Sequence, residues 1–182
     1  MNAYSALILF KRNASKYFEI VSGEKIKYWY HENNYASKTG QLGSSCMRHE
    51  SCQDYFNLYI ENPDVCQLLI FKNITGDKIV GRALLWTDVD GKKWIDRIYT
   101  IKDSYSSLFN KWAKENGYEN IFNSDTKTKI KVKNIDYVEY PYLDSFSFLK
   151  ILEEETFLKN TRPDKPYKVL QETNGGYINR LT

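Results

Sequence analysis

Cysteine, histidine and one-signed charge are scarce in this chain, which has 3 cysteines, 2 histidines and a net charge of +3 over 182 residues. Cys46, Cys52 and Cys66 are odd in number and form no Cys-x-x-Cys pair. That argues against a disulfide framework and a thiolate zinc site, and it fits a reducing cytoplasm. His31 and His49 stand in no ligand spacing and no Asp-rich ion loop occurs, so no metal is expected. Neither a Walker loop nor a Gly-x-Gly-x-x-Gly turn follows a predicted strand, and no nucleophile elbow is present. No catalytic residue and no cofactor is assigned. Apolar runs fall short of the ~20 residues that span a bilayer, so no membrane partner is expected. The opening "MNAYSALILF" lacks a basic leader and a small-residue cleavage site and reads as a strand over 4–11. The small positive charge is weaker than the field of a dedicated duplex-DNA binder.

Aromatic residues are abundant: 15 Tyr, 9 Phe and 4 Trp. That much ring surface has to be buried, stacked on a ligand or set against a partner. The length suits one domain, organised as N-terminal strands and a loop (1–45), a helix-meander-helix core (46–123) and C-terminal strands with an irregular tail (124–182).

Residues 17–30 alternate like a hairpin turning at Ser22-Gly23-Glu24, and the polar 32–45 reads as a loop. The crowded stretch "GSSCMRHESC" raises the possibility of a reactive thiol. A helix N-terminus and neighbouring cations lower a thiol pKa, and Cys46 sits beside Arg48 and His49. The plainer reading is a loop, with Cys46 and Met47 as apolar plugs, that delivers a helix capped by Ser51 with Asp54 opposite. Tyr55, Phe56, Tyr59 and Ile60 form that helix's buried stripe.

The middle of the chain is the most legible. "VCQLLIFKN", "KIVGRALLWTDV" and "KKWIDRIYTI" are strand runs separated by Gly76-Asp77 and Asp90-Gly91, and Asp-Gly between such runs signals a hairpin. A helix capped by Asp103 or Ser104 follows, with Leu108, Phe109, Trp112 and Ala113 on one face and Gly117 as its stop. The fold class implied is α+β, a mostly antiparallel central sheet around a β-β-β-α block with helices packed on one face.

A two-residue Asp90-Gly91 loop would pair Trp86 with Ile95, Leu84 with Arg97 and Arg82 with Tyr99 on one face. Leu85, Ala83, Trp94, Asp96 and Ile98 would lie on the other. Two guanidinium groups on one face need anionic partners. Arg82 and Arg97, with Tyr99 and Trp86 bounding them, are therefore candidates for a phosphate or carboxylate pocket, and Asp144 is a candidate internal partner. In "TKTKIKVKN", Lys127, Lys129, Lys131 and Lys133 share one strand face and Thr128, Ile130 and Val132 the other. The stripe reads either as a lysine-protected edge or as a basic contact for phosphate or an acidic partner.

The run "LLIFKN…GDKIVGRALLW…WIDRIYT…LFNKWAKENGY", over about residues 65–123, resembles the central block of GNAT-type acyltransferases. That family places an acetyl-CoA loop of the Arg/Gln-x-x-Gly-x-Gly/Ala kind before the helix. This chain has "IKDSYSS" there, so CoA binding does not carry over. A second resemblance, carried by "SSCMRHE", "GRALLW", "DRIYT", "WAKENG" and "PYLDSF" over about residues 43–149, is to a functionally uncharacterised family of bacteriophage and prophage proteins. It implies a phage accessory protein working in the host cytoplasm. Cys46, Arg48, Arg82, Asp96, Arg97, Tyr99 and Asp144 are the residues it draws attention to. The combined expectation is a non-enzymatic anti-defence protein, of the anti-CRISPR kind, that binds a host or defence protein, RNA or nucleotide. A GNAT-like acyltransferase using Tyr99 or Asp96 is the rival.

Overall fold

The computed structural model describes residues 12–124, 128–132, 149–152 and 155–160. The expected strand over 4–11 and the candidates Lys127, Lys133 and Asp144 lie outside the described residues.

The chain is α+β. Strand β1 (Phe18–Val21) is followed by helix α1 (Glu24–Tyr30), the short helix α2 (Gly40–Ser44) and the single-turn helix α3 (Asn57–Ile60). The meander β2 (Cys66–Lys72), β3 (Ile79–Thr87) and β4 (Lys93–Thr100) comes next, then helix α4 (Ser106–Glu115) and the short β5 (Glu119–Asn120). These five strands form one sheet in the order β1-β2-β3-β4-β5, antiparallel except for the parallel β4–β5 pair. Strands β6 (Lys129–Lys131), β7 (Leu149–Leu152) and β8 (Glu155–Asn160) make a second sheet in the order β6-β8-β7.

Three local expectations fail for identifiable reasons. The second half of the supposed 17–30 hairpin is α1. Ile26, Trp29 and Tyr30, at helical rather than strand spacing, are its buried residues, and period 3.6 wins over period 2. Ser51 caps nothing: it lies inside a 3-10 segment, Glu50–Phe56, whose N-cap is His49. Likewise α4 begins after a 3-10 turn, Asp103–Tyr105, and neither Asp103 nor Ser104 caps it. Its end is as expected. Gly117 takes φ +75°, and the N–H groups of Tyr118 and Gly117 return to the carbonyls of Ala113 and Lys114, the Schellman arrangement that needs a left-handed residue.

The β3–β4 corner is one residue longer than the two-residue reading allows. Asp88 and Lys92 close the loop, with Gly91 at φ +79°, so Trp86 pairs with Trp94 and Leu85 with Ile95. A bulge then sets Asp96 and Arg97 together opposite Leu84, after which Ala83 pairs with Ile98 and Arg82 with Tyr99. The extra loop residue and the bulge cancel. Arg82 therefore meets Tyr99 as expected, whereas Trp94 and Asp96 move to the face that carries Trp86.

Helices cover both sheet faces, not one. Leu68, Ile70, Leu84, Trp86 and Trp94 pack with Ile26, Tyr30, Leu58 and Tyr59 from α1 and α3. Leu69, Phe71, Ala83, Leu85 and Ile95 pack with Phe109 and Ala113 of α4. Phe109 is fully buried and sits edge-on to Phe18 and Phe71, with ring centroids 4.9 and 6.0 Å away. Gly81 leaves room for it, because a Cβ there would stand 2.8 Å from Phe109 Cε2. Phe109→Ala should lower the unfolding free energy in urea by about 3–5 kcal/mol, the usual cost of emptying a buried phenylalanine site.

Candidate functional site

Arg82 of β3 is fully buried on the sheet face that α1 and α3 cover, whose apolar cluster is the first core. Its guanidinium lies 3.6 Å from the Tyr30 ring centroid and 4.6 Å from that of Tyr99. Nε donates to the Tyr35 hydroxyl (3.3 Å) and Nη2 to Ser45 Oγ (2.9 Å). Tyr35 passes the chain on by donating to the Tyr30 carbonyl at 2.6 Å. Aromatic quadrupoles and hydroxyl dipoles thus help to offset the desolvation of a cation taken out of water.

The hydroxyls come from a strap, residues 35–48, laid across the sheet. Tyr35 bridges to Ile79, and the Ala36 N–H donates to the Ile79 carbonyl. Thr39 Oγ1 donates to the Ile101 carbonyl at 3.1 Å. Gly40, at φ +63°, would put a Cβ 2.4 Å from the Thr100 carbonyl oxygen, and a Cβ on Gly43 would stand 1.9 Å from that of Lys38. Backbone-to-backbone contact that tight admits only glycine. The crowded "GSSCMRHESC" stretch is the strap's end. Ser45 binds Arg82, Met47 is fully buried, and Cys46 opens a three-residue 3-10 turn. That turn is too short to bring a helix dipole to bear on the thiol.

The sequence candidates part company here. Arg82 and Tyr99 come together, Arg82 fully buried and Tyr99 half-buried beside it. Arg48 forms an ion pair with Glu32, which also holds Lys38 at 2.7 Å. Trp86 is buried against Tyr59, and its indole donates to Asp96 Oδ2 at 3.0 Å. Asp96 Oδ1 accepts the Arg97 backbone N–H at 2.8 Å, and the Arg97 side chain is half-buried. Trp94 repeats the pattern on Asp88 (2.9 Å), whose other oxygen accepts the N–H groups of Asp90 and Lys92.

Sequence reasoning missed Tyr30, Tyr35 and Ser45, for which no short-range signal exists. It also missed the two Trp-x-Asp triplets, Trp86-Thr87-Asp88 and Trp94-Ile95-Asp96, which were legible as a repeat. Each indole donates to the acid two residues beyond its cross-strand partner. Cys66 is fully enclosed, and burial, followed by the negative charge of Asp96, pushes its thiol well above the ordinary range. It is a packing group, not a nucleophile.

The lysine strand keeps its expected polarity. Thr128, Ile130 and Val132 are buried, Lys131 is exposed and Lys129 half-buried. Strand β6 is at one edge of its sheet, and the Val89 N–H of the β3–β4 loop donates to the Lys129 carbonyl at 2.9 Å. Among the described residues no three His, Cys, Asp or Glu side chains gather as metal ligands. None of their helices is long and apolar enough to cross a membrane. No protein-family model, curated protein or solved structure matches the chain.

The strap's hold on Arg82 is testable. Ser45→Ala removes a hydrogen bond to a charged group and leaves Nη2 short of a partner, so chemical denaturation should show a loss of about 1.5–3 kcal/mol.

Proposed function

We propose that this chain is a non-enzymatic binding protein, a phage accessory protein of the anti-defence, anti-CRISPR kind. It holds an anionic surface of a host or defence component, an RNA or an acidic protein face, against the lysine side of β6. The observation that carries the reading is the division of residues 128–132. Their apolar side is anchored in the main core, so the Lys129 and Lys131 side is presented from a fixed platform. The buried state of Arg82 supports the same location, because a guanidinium enclosed by Tyr30, Tyr99, Tyr35 and Ser45 is committed to the fold. The phage setting and the cytoplasmic location rest on the sequence resemblance.

An acyltransferase is the second reading, favoured by the parallel pairing of β5 with β4 after the intervening α4. Against it, the segment between β4 and α4 contains no glycine, and its start is covered by Thr39 and Gly40. Calorimetry with acetyl-CoA separates the two: micromolar binding promotes the acyltransferase, and silence retires it.

Affinity purification from host lysate should recover a stoichiometric partner or bound RNA. The Lys129→Glu/Lys131→Glu variant should lose it by about tenfold or more, and wild-type binding should weaken as salt rises from 50 to 200 mM, as counterion release requires. Retention of the partner by the double variant, with no salt dependence, would leave β6 as a merely protected edge.

A further inference from the structure

The chain contains two Asn-Gly pairs, and one of them, Asn116-Gly117, ends α4. Both of its residues are exposed. In such a pair the backbone nitrogen can reach the side-chain amide before it, because glycine puts no Cβ in the way. Here each group that this reaction needs is engaged elsewhere. Asn116 Nδ2 donates to the Trp112 carbonyl at 2.8 Å, which turns the side-chain amide back along the helix. The Gly117 N–H donates to the Lys114 carbonyl at 3.4 Å. Asn116 has ψ 11°, which sets the Gly117 nitrogen on the far side of the Cα–C bond from Cβ.

We infer that Asn116 is a self-modification site, deamidated by its own neighbour when the last turn of α4 opens and protected while that turn is closed. Helix ends fray, so the opening is local and does not require global unfolding. In the open turn the Gly117 nitrogen, its proton taken by hydroxide, attacks Asn116 Cγ. The N–Cγ bond forms, the Cγ–Nδ2 bond breaks, and Nδ2 leaves as ammonia with a proton from water. Water then opens the cyclic imide at either carbonyl, giving aspartate or isoaspartate, and no other reactant is needed. The products oppose reclosure. Aspartate has no proton to donate to the Trp112 carbonyl and sets a negative charge at the negative end of the helix. Isoaspartate adds a carbon to the backbone inside the turn that the Tyr118 N–H closes on the Ala113 carbonyl at 2.9 Å. Tyr118, whose ring lies 5.4 Å from that of Trp112, is then held less firmly. The site is separate from β6 and does not depend on the reading given for that strand.

The test incubates the full chain at pH 8.5 and 37 °C, in buffer and in 8 M urea. Peptide mass spectrometry after digestion in acid follows the gain of one dalton at Asn116. In urea Asn116 should convert at a rate within threefold of Asn174, which heads the other Asn-Gly pair. In buffer it should convert at least tenfold more slowly than in urea. Lys114→Gly, at an exposed position of the last turn, should raise the buffer rate about fivefold, the glycine penalty in a helix written as an equilibrium factor. It should leave the urea rate unchanged. Asn116→Asp, which reproduces the aspartate product, should show faster hydrogen exchange at the Tyr118 amide than the wild type. No conversion of Asn116 in urea would overturn the site. Equal rates in buffer and urea, or a buffer rate untouched by Lys114→Gly, would overturn its protection by the closed turn. Unchanged Tyr118 exchange in Asn116→Asp would overturn the opposition to reclosure.

Discussion

A charge taken out of water constrains this fold more than any single apolar contact. Burying a guanidinium costs several kcal/mol unless its donors and its faces are met. Here the faces are met by rings from α1 and β4, and donors by hydroxyls at the two ends of the strap. One side chain on β3 thereby couples α1, the strap and β4. The glycine at 40 follows from the same requirement. The strap has to lie close enough for Ser45 to reach Nη2, and a side chain at Gly40 would collide with the Thr100–Ile101 backbone, whereas Gly43 is demanded by the strap's own fold over the Lys38 backbone. Lifting the strap would remove two of the polar partners from a cation that water could not reach at once. Local opening of residues 35–48 is therefore energetically tied to the integrity of the whole first core.

The β3–β4 hairpin solves a second burial problem. Asp88 and Asp96 are almost entirely enclosed, and each accepts an indole N–H as well as a backbone N–H. A buried carboxylate becomes tolerable when such donors saturate it. The tryptophans gain at the same time, since a buried indole N–H needs an acceptor. The extra loop residue sets Asp96 beside Trp86, and the bulge at Asp96–Arg97 then returns Tyr99 to the face of Arg82. Without the bulge, Tyr99 would fall on the α4 face.

What was legible in the sequence divides along physical range. The meander, its two glycine-bearing corners, the α4 stripe and the Gly117 stop depend on neighbours a few residues apart, and all were readable. Register was readable only in part, because two one-residue irregularities offset each other between Trp86 and Arg82. The result was a right pairing for Tyr99 and a wrong face for Trp94 and Asp96. The 3-10 starts at Glu50 and Asp103 displaced the expected caps, since the chain direction into each helix is set by tertiary contacts and not by a capping side chain. The surroundings of Arg82 were not legible at all. Tyr30, Tyr35 and Ser45 are ordinary residues 52, 47 and 37 positions away, and only the folded strap makes them a shell.

The placement of the cations also bears on what kind of recognition this surface can perform. Arginine's fork reads a planar anion by geometry, whereas lysine is a flexible point charge that reads little beyond sign. In this chain Arg82 is consumed by the core and Arg48 by Glu32, while β6 is armed with lysines. Under the proposed function, a partner held there would be selected by charge density and by the shape of the strand beneath, not by a bidentate fit. Such a contact tolerates variation in the partner's sequence, suits an extended anionic surface better than a single small group, and is sensitive to ionic strength. Geometric discrimination requires a guanidinium that still has donors to offer, and Arg82, enclosed by rings and hydroxyls, is no longer such a group. The arginine that organises the fold and the lysines that face outward from β6 thus divide the chain's cations by chemistry, the planar fork spent on internal geometry and the flexible point charges left to the surface.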